Sequence, residues 1–113
     1  MAPNTQRDEI PPGTLDMLIL KTLARGSEMH GFAIADAIQQ RTANVLQVEE
    51  GSLYPALQRM LVKGWIAGEW SRTEGNRRAR YYRLTASGRK HLEREIAAYR
   101  RVAQAISLIL KPV

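Results

Sequence analysis

The side chains most able to do chemistry in this sequence are cations. Arg72, Arg77, Arg78, Arg80 and Arg83 crowd into one short polar stretch, and Arg59 and Lys63 precede it closely. Guanidinium groups meet phosphate oxygens as paired donors, and neutralising phosphates gives a strongly salt-dependent affinity for nucleic acid. Charge is also unevenly distributed. Residues 1–58 carry four basic and seven acidic side chains, a net of −3, whereas residues 59–113 carry thirteen and four, a net of +9. A basic half points first to nucleic acid and second to an anionic membrane or partner helix, and the bland alternative is a solvated basic face.

Other chemistries lack their residues. There is no cysteine, so no disulfide, zinc-thiolate site or thiol nucleophile is possible. His30 and His91 are far apart and form no HExxH pattern, so no metal site is expected. Ser27, Ser52, Ser71, Ser87 and Ser107 have no base at a recognisable spacing, and no glycine-rich phosphate loop or cofactor motif occurs. The sequence therefore predicts neither an enzyme nor a cofactor. Lys21 interrupts the longest apolar run, 15–23, and the first residues lack the apolar stretch of a signal peptide, so a soluble cytoplasmic protein is expected. With 113 residues, 44% hydrophobic and 25% charged, the chain has the composition of one ordinary globular domain.

The elements that must position the cations follow from periodicity. Residues 1–13, with Pro3, Pro11, Pro12 and Gly13, read as a flexible arm. Leu15, Leu18, Ile19, Thr22 and Leu23 predict a first helix, capped by Thr14 and ended by Gly26 at the C′ position. Phe32, Ala35 and Ile38 are the stripe of a second, starting near His30, which caps or packs there. Residues 45–48 look extended. Leu53, Tyr54, Leu57, Met60 and Leu61 predict a third helix from 50–52 to Gly64, with Pro55 near its start. Residues 65–71 and 79–84 read as two strands around the Gly75-Asn76 turn. Thr85 caps a last helix running to about Leu110, whose stripe (Leu92, Ile96, Tyr99, Ala103, Ile106, Leu110) has heptad spacing and implies an association surface. The fold class is mainly α with a two-stranded β wing. It is a winged helix-turn-helix over 14–84, followed by a long dimerisation helix over 85–113.

The runs MHGFAIADAIQ (29–39), EEGSLYPALQRMLVKGWI (49–66) and EGNRRARYYRLTASGRKHL (74–92), with the long final helix, resemble the PadR family of bacterial transcriptional regulators over about residues 14–110. The stretches 12–24 and 45–60 further resemble a subgroup associated with acidobacterial ABC-type permease genes. The resemblance implies a homodimeric repressor binding double-stranded DNA at a palindromic operator. It dimerises through the last helix helped by Leu15 and Leu18 of the first, and in many members it responds to a small hydrophobic effector.

On this reading the DNA-facing residues are Ser52, Tyr54, Gln58, Arg59, Lys63, Arg72, Asn76, Arg77, Arg78 and Arg80. Each has a plainer alternative. Ser52 either contacts a phosphate or caps the third helix. Tyr54 either contacts a phosphate, as the family suggests, or packs on the hairpin. Gln58 and Arg59 either touch DNA or are solvated, and Lys63 either touches DNA or satisfies terminal carbonyls. Asn76 lets the wing turn, Glu74 pairs with a nearby arginine, and Arg77 and Arg78 at the tip have no structural reason to be there. Trp65, Trp70, Tyr81 and Tyr82 are expected to pack the hairpin rather than stack on bases. Tyr99, with Ile96, either packs a dimer seam or walls an effector cavity.

Overall fold

Apolar residues at helical and strand spacing must share one core, and the order in which they come dictates how. The computed structural model describes residues 9–112. Its elements are α1 (Leu15–Arg25), β1 (Met29–His30), α2 (Gly31–Arg41), α3 (Glu50–Val62), β2 (Ile66–Arg72), β3 (Arg78–Leu84) and α4 (Ala86–Leu110). The expected arm 1–13 falls largely outside the described residues. Its end is a turn, in which the Thr14 amide donates to the Pro11 carbonyl.

α1 is the central helix. Ile19, Leu20 and Leu23 are fully buried, and the buried Thr22 hydroxyl donates to the Leu18 carbonyl, so no polar group is orphaned there. Around it close Ile34 and Ile38 of α2, Leu53, Ala56, Leu57 and Met60 of α3, Ile66 and Tyr82 of the hairpin, and Leu92 of α4. Two caps depart from expectation. Thr14 sits at the start of α1, but its hydroxyl donates back to Pro11 and caps nothing. Gly26 ends α1 in extended backbone and not in the left-handed conformation. The left-handed stop belongs to Gly64, whose φ of +77° follows α3. The α2 stripe is Ile34 and Ile38. Phe32 lies off that face and is 73% exposed.

The sheet has three strands, ordered β1-β3-β2, and not two. Met29 and His30 pair with Tyr82 and Tyr81 on the inner edge of β3. Two residues just before a helix carry no strand period, so β1 is invisible as a pattern. β2 and β3 pair from Ile66↔Leu84 at the root to Arg72↔Arg78 at the tip. The turn between them is closed by Asn76, with φ of 61°, and by the Thr73 hydroxyl accepting the Arg77 amide.

The root of the hairpin is bound to the start of α4. The Thr85 amide donates to the Trp65 carbonyl, and its hydroxyl donates to the Gly64 carbonyl at 2.6 Å while accepting the Gly88 amide as N-cap. The Trp65 ring stacks on His91 at 3.6 Å between centroids, nearly parallel, and His91 Nε2 lies 3.1 Å from Glu95. The cap at Thr85 and the helix to Leu110 match the periodicity. The seam does not match in full. Leu92 is 4% exposed and belongs to the chain's own core, and Leu15, Leu18 and Ile96 are partly buried against it. Only the second half of α4 leaves the body.

Gly88 makes the junction possible. A Cβ there would fall 1.9 Å from the Trp65 carbonyl oxygen, which is backbone and cannot step aside. Gly88→Ala is expected to cost about 3 kcal/mol or more through overpacking, lowering the thermal midpoint by on the order of 10 °C. Gly51, also helical but with nothing within 4 Å of its Cβ direction, serves as the control. Gly51→Ala is expected to raise stability by roughly 0.5–1 kcal/mol. Calorimetry of both variants checks the pair, and equal effects would refute the packing argument.

Candidate nucleic-acid interface

α3 buries Leu53, Ala56, Leu57 and Met60 and therefore turns Tyr54, Gln58 and Val62 outward. The hairpin face is fixed by its register. Directly paired residues share a face, so Gly68, Trp70 and Arg72 of β2 lie beside Tyr82, Arg80 and Arg78 of β3. This face grades from buried Ile66 and Tyr82 at the root to exposed cations at the tip. Between the outer half of the hairpin and the first turns of α2 and α3 lies an open groove of about 800 Å³. Tyr54, Phe32, Trp70, Arg77, Arg78 and Arg80 are among its walls.

Trp70 is the principal departure from the packing expectation. Its ring is 56% exposed, with the Arg78 guanidinium 4.7 Å and the Arg80 guanidinium 6.0 Å from its centroid. Indole faces attract cations, so the ring holds two guanidiniums that would otherwise repel. The other three aromatics do pack. Tyr82 is buried, Tyr81 meets the His30 ring edge-on, and Trp65 stacks on His91. Burial raises the Tyr82 hydroxyl above its ordinary 10.0, partly opposed by the cation of Arg80.

The named residues do not all converge. Tyr54 lies against Gly31 at the start of α2, half exposed and facing the groove that it shares with Tyr82 and Trp70 of the hairpin. Gln58 is exposed on the outer face of α3. Arg77 and Arg78 are exposed, and Asn76 forms the turn. Arg72 donates to the Asn76 carbonyl and so braces that turn. Arg59 instead pairs with Asp16 of α1 at 2.8 Å. The helical period carries it round to the flank facing α1, where a nearby carboxylate holds it. Such an exposed pair contributes about 0–1 kcal/mol. Ser52 is no cap either, since Glu49 holds that position, and Ser52 faces the α1 side with Leu15 and Gln47. Lys63 ends α3 far from the groove, its ammonium 5.2 Å from the Trp65 ring. Arg83 pairs with Ala67 and so lies on the opposite hairpin face from Arg80. No ion pair of Glu74 is formed among the described residues.

Sequence reasoning missed Phe32, which its stripe places inside, and the groove role of His30. His30 does cap α2, its Nδ1 accepting the Ala33 amide, and its ring also lines the groove. Among the described residues no helix is long and apolar enough to cross a membrane.

The sequence pattern of the transcriptional regulator PadR-like family matches residues 19–94. A protein from Lysinibacillus sphaericus is 29% identical over 105 residues, covering 93% of this chain and 95% of its own length. A transcriptional regulator from Clostridium thermocellum has the same fold, with a TM-score of 0.79, 27% identity, and coverage of 88% of this chain and 95% of its own. A PadR family transcription regulator from Clostridium difficile gives a TM-score of 0.73 at 30% identity, covering 87% and 99%. A PadR-like transcriptional regulator from Bacillus cereus gives 0.74 at 25%, covering 89% and 95%. The α3 face, the hairpin beside it and these likenesses agree, and the chain belongs to the PadR-like family of DNA-binding transcriptional regulators.

Proposed function

We propose that this regulator acts as a homodimeric repressor on a palindromic operator, with Tyr54 and Gln58 of α3 in the major groove and Arg77, Arg78 and Arg80 of the wing on the adjacent backbone. The observation that carries the reading is the placement of three cations and one half-exposed tyrosine around a single groove beside the outer face of α3. Two such units related by a two-fold axis reach successive major grooves when their α3 helices lie roughly 34–36 Å apart.

Dimerisation is supported by what α4 leaves uncovered. Tyr99, Val102, Ile106, Ile109 and Leu110 are all at least half exposed, Ile109 by 84%. The helical period gathers them on one side, making a wider apolar arc than the heptad seam alone. Arg94, Arg100, Arg101 and Lys111 are exposed elsewhere on or at the end of the helix. A second copy's α4 is the occupant this arc suits, and Tyr99 with Ala103 would then meet near the two-fold axis. A small hydrophobic effector lodged beside Tyr99 and Ile96 would relieve repression only by binding better to a dimer whose helix spacing no longer fits DNA.

Two measurements test the reading. In the first, fluorescence anisotropy uses DNA upstream of the protein's own gene and of any adjacent ABC-type permease gene, the setting the narrower resemblance suggests. A scrambled duplex is the control, at two salt concentrations. Preferential binding that weakens with salt is expected, and Arg77→Ala/Arg78→Ala should lower the salt slope by roughly 1 for each phosphate left without its arginine. Equal binding of both duplexes would refute sequence-specific regulation through these sites. The second is sedimentation, where the wild type should run at twice its 12.8 kDa chain mass. Ile106→Glu/Ile109→Glu should run at the monomer mass with its helical circular dichroism intact. A wild-type monomer that pellets with anionic vesicles would instead support the membrane alternative.

A further inference from the structure

Arg80 occupies an unusual place on the hairpin. It pairs directly with Trp70 across the strands, yet its side chain does not stand out from the sheet. A Cβ built on Gly68 would fall 2.6 Å from Arg80 Nε, 3.3 Å from its Cζ and 3.4 Å from its Cδ. The side chain therefore lies flat across Gly68, the nearest neighbour toward the root on the same face. Its Nε is buried and has no hydrogen-bond partner among the described atoms. Trp70 flanks the guanidinium on the tip side, and Tyr82 lies level with Gly68 on the facing strand. Among the described residues neither Arg78 nor Arg80 has an ion-pair partner, although Glu50 lies on the groove's far wall.

A buried unpartnered donor is a cost unless something offsets it. Here the offset is order. A guanidinium fixed between a glycine floor and an indole wall loses little freedom when it meets an anion. Arg80 lines the groove between the wing and the first turns of α3, facing the same space as Tyr54. We propose that Gly68 and Trp70 are positioning residues that lay Arg80 across the sheet so that its guanidinium takes one DNA phosphate in this groove. The inference rests on the DNA-binding reading above and deepens it. Arg77 and Arg78 reach the backbone from the exposed tip, while Arg80, lying across the sheet, sets the distance between backbone and α3. Gly68 acts through Arg80 alone. A methyl group there meets only the movable part of a long side chain, so the fold accepts it and the guanidinium is dislodged.

The test is a mutant cycle read by DNA anisotropy at several salt concentrations, with melting curves alongside. Arg80→Ala should weaken operator binding about tenfold and reduce the salt slope by roughly 1 per protomer. Gly68→Ala should reproduce most of that loss and the same slope change, with a melting midpoint at or above the wild type's. The double variant should bind no more weakly than Arg80→Ala, because Gly68 has nothing left to position. Trp70→Ala should lose about threefold and Trp70→Phe should restore binding, since a ring face suffices. The proposal is overturned by wild-type affinity in Gly68→Ala, by wild-type affinity in Arg80→Ala, or by additive losses in the double variant. If Arg77→Ala/Arg78→Ala weakens binding while Arg80→Ala does not, the DNA-binding reading stands and this inference falls. No DNA binding by the wild type would remove both.

Discussion

The Trp65 carbonyl is where this molecule is joined. It accepts the Thr85 amide, closing the hairpin root onto the start of α4, and Gly88 presses against it more closely than any side chain would permit. The Thr85 hydroxyl meanwhile spans the Gly64 carbonyl and the Gly88 amide, so one residue ends the α3–β2 turn and begins α4. Hydrogen-bonded groups in such close contact have little room to move, because each alternative breaks a hydrogen bond or drives Gly88 into the Trp65 carbonyl. The wing, α3 and α4 thus share a common origin. Glycine's usual penalty inside a helix is outweighed here by the approach that only glycine allows.

From that origin the hairpin changes character along one face. Ile66 and Tyr82 are buried in the core, Gly68 has no side chain and is covered by that of Arg80, and Trp70, Arg80 and Arg78 form a cationic plate at the groove. The gradient follows from alternation plus geometry. Every second residue must share a face, but only the root of the hairpin has a core to lie on. A tryptophan on that face beyond the core would be an exposed apolar liability if it did not hold guanidiniums. The same residue pattern thus reads as packing at one end and as recognition at the other.

This explains what the sequence made legible. Helical period, the Thr85 cap, Gly64 and the Gly75-Asn76 turn are local signals, and α3, the hairpin and α4 appear within a residue or so of where they point. Contacts between elements are not local. Arg59 reads as a free cation until α1 brings Asp16 to it. Ser52 looks like a cap because caps favour serine, yet α3 starts two residues earlier. Leu92 continues the heptad in sequence while lying in the chain's own core. Phe32 shares a rough period with Ala35 and Ile38, but Ile34 and Ile38 are the pair that meets α1 and α3. At the wing the cations are legible by type and by place. Which of them brace the turn, as Arg72 does, and which face the groove depends on register, which the sequence specifies only together with the core it packs on.

The junction also bears on how signals would pass in the proposed dimer. The exposed half of α4 would set the relation between two copies, while its first turns are clamped to the wing root through Thr85, Gly88 and the Trp65–His91 stack. A tilt of α4 against its partner therefore has no soft joint at its N-terminal end in which to be absorbed. It would be delivered to the hairpin and α3 as a rigid-body displacement, growing with distance from the dimer axis. In the proposed dimer DNA reading would require two α3 helices at a fixed separation, so a small change at Tyr99 would be enough to spoil the match without disturbing either reading head. The stiffness of one backbone contact, rather than any deformation of the recognition surface, is what would make such a dimer switchable.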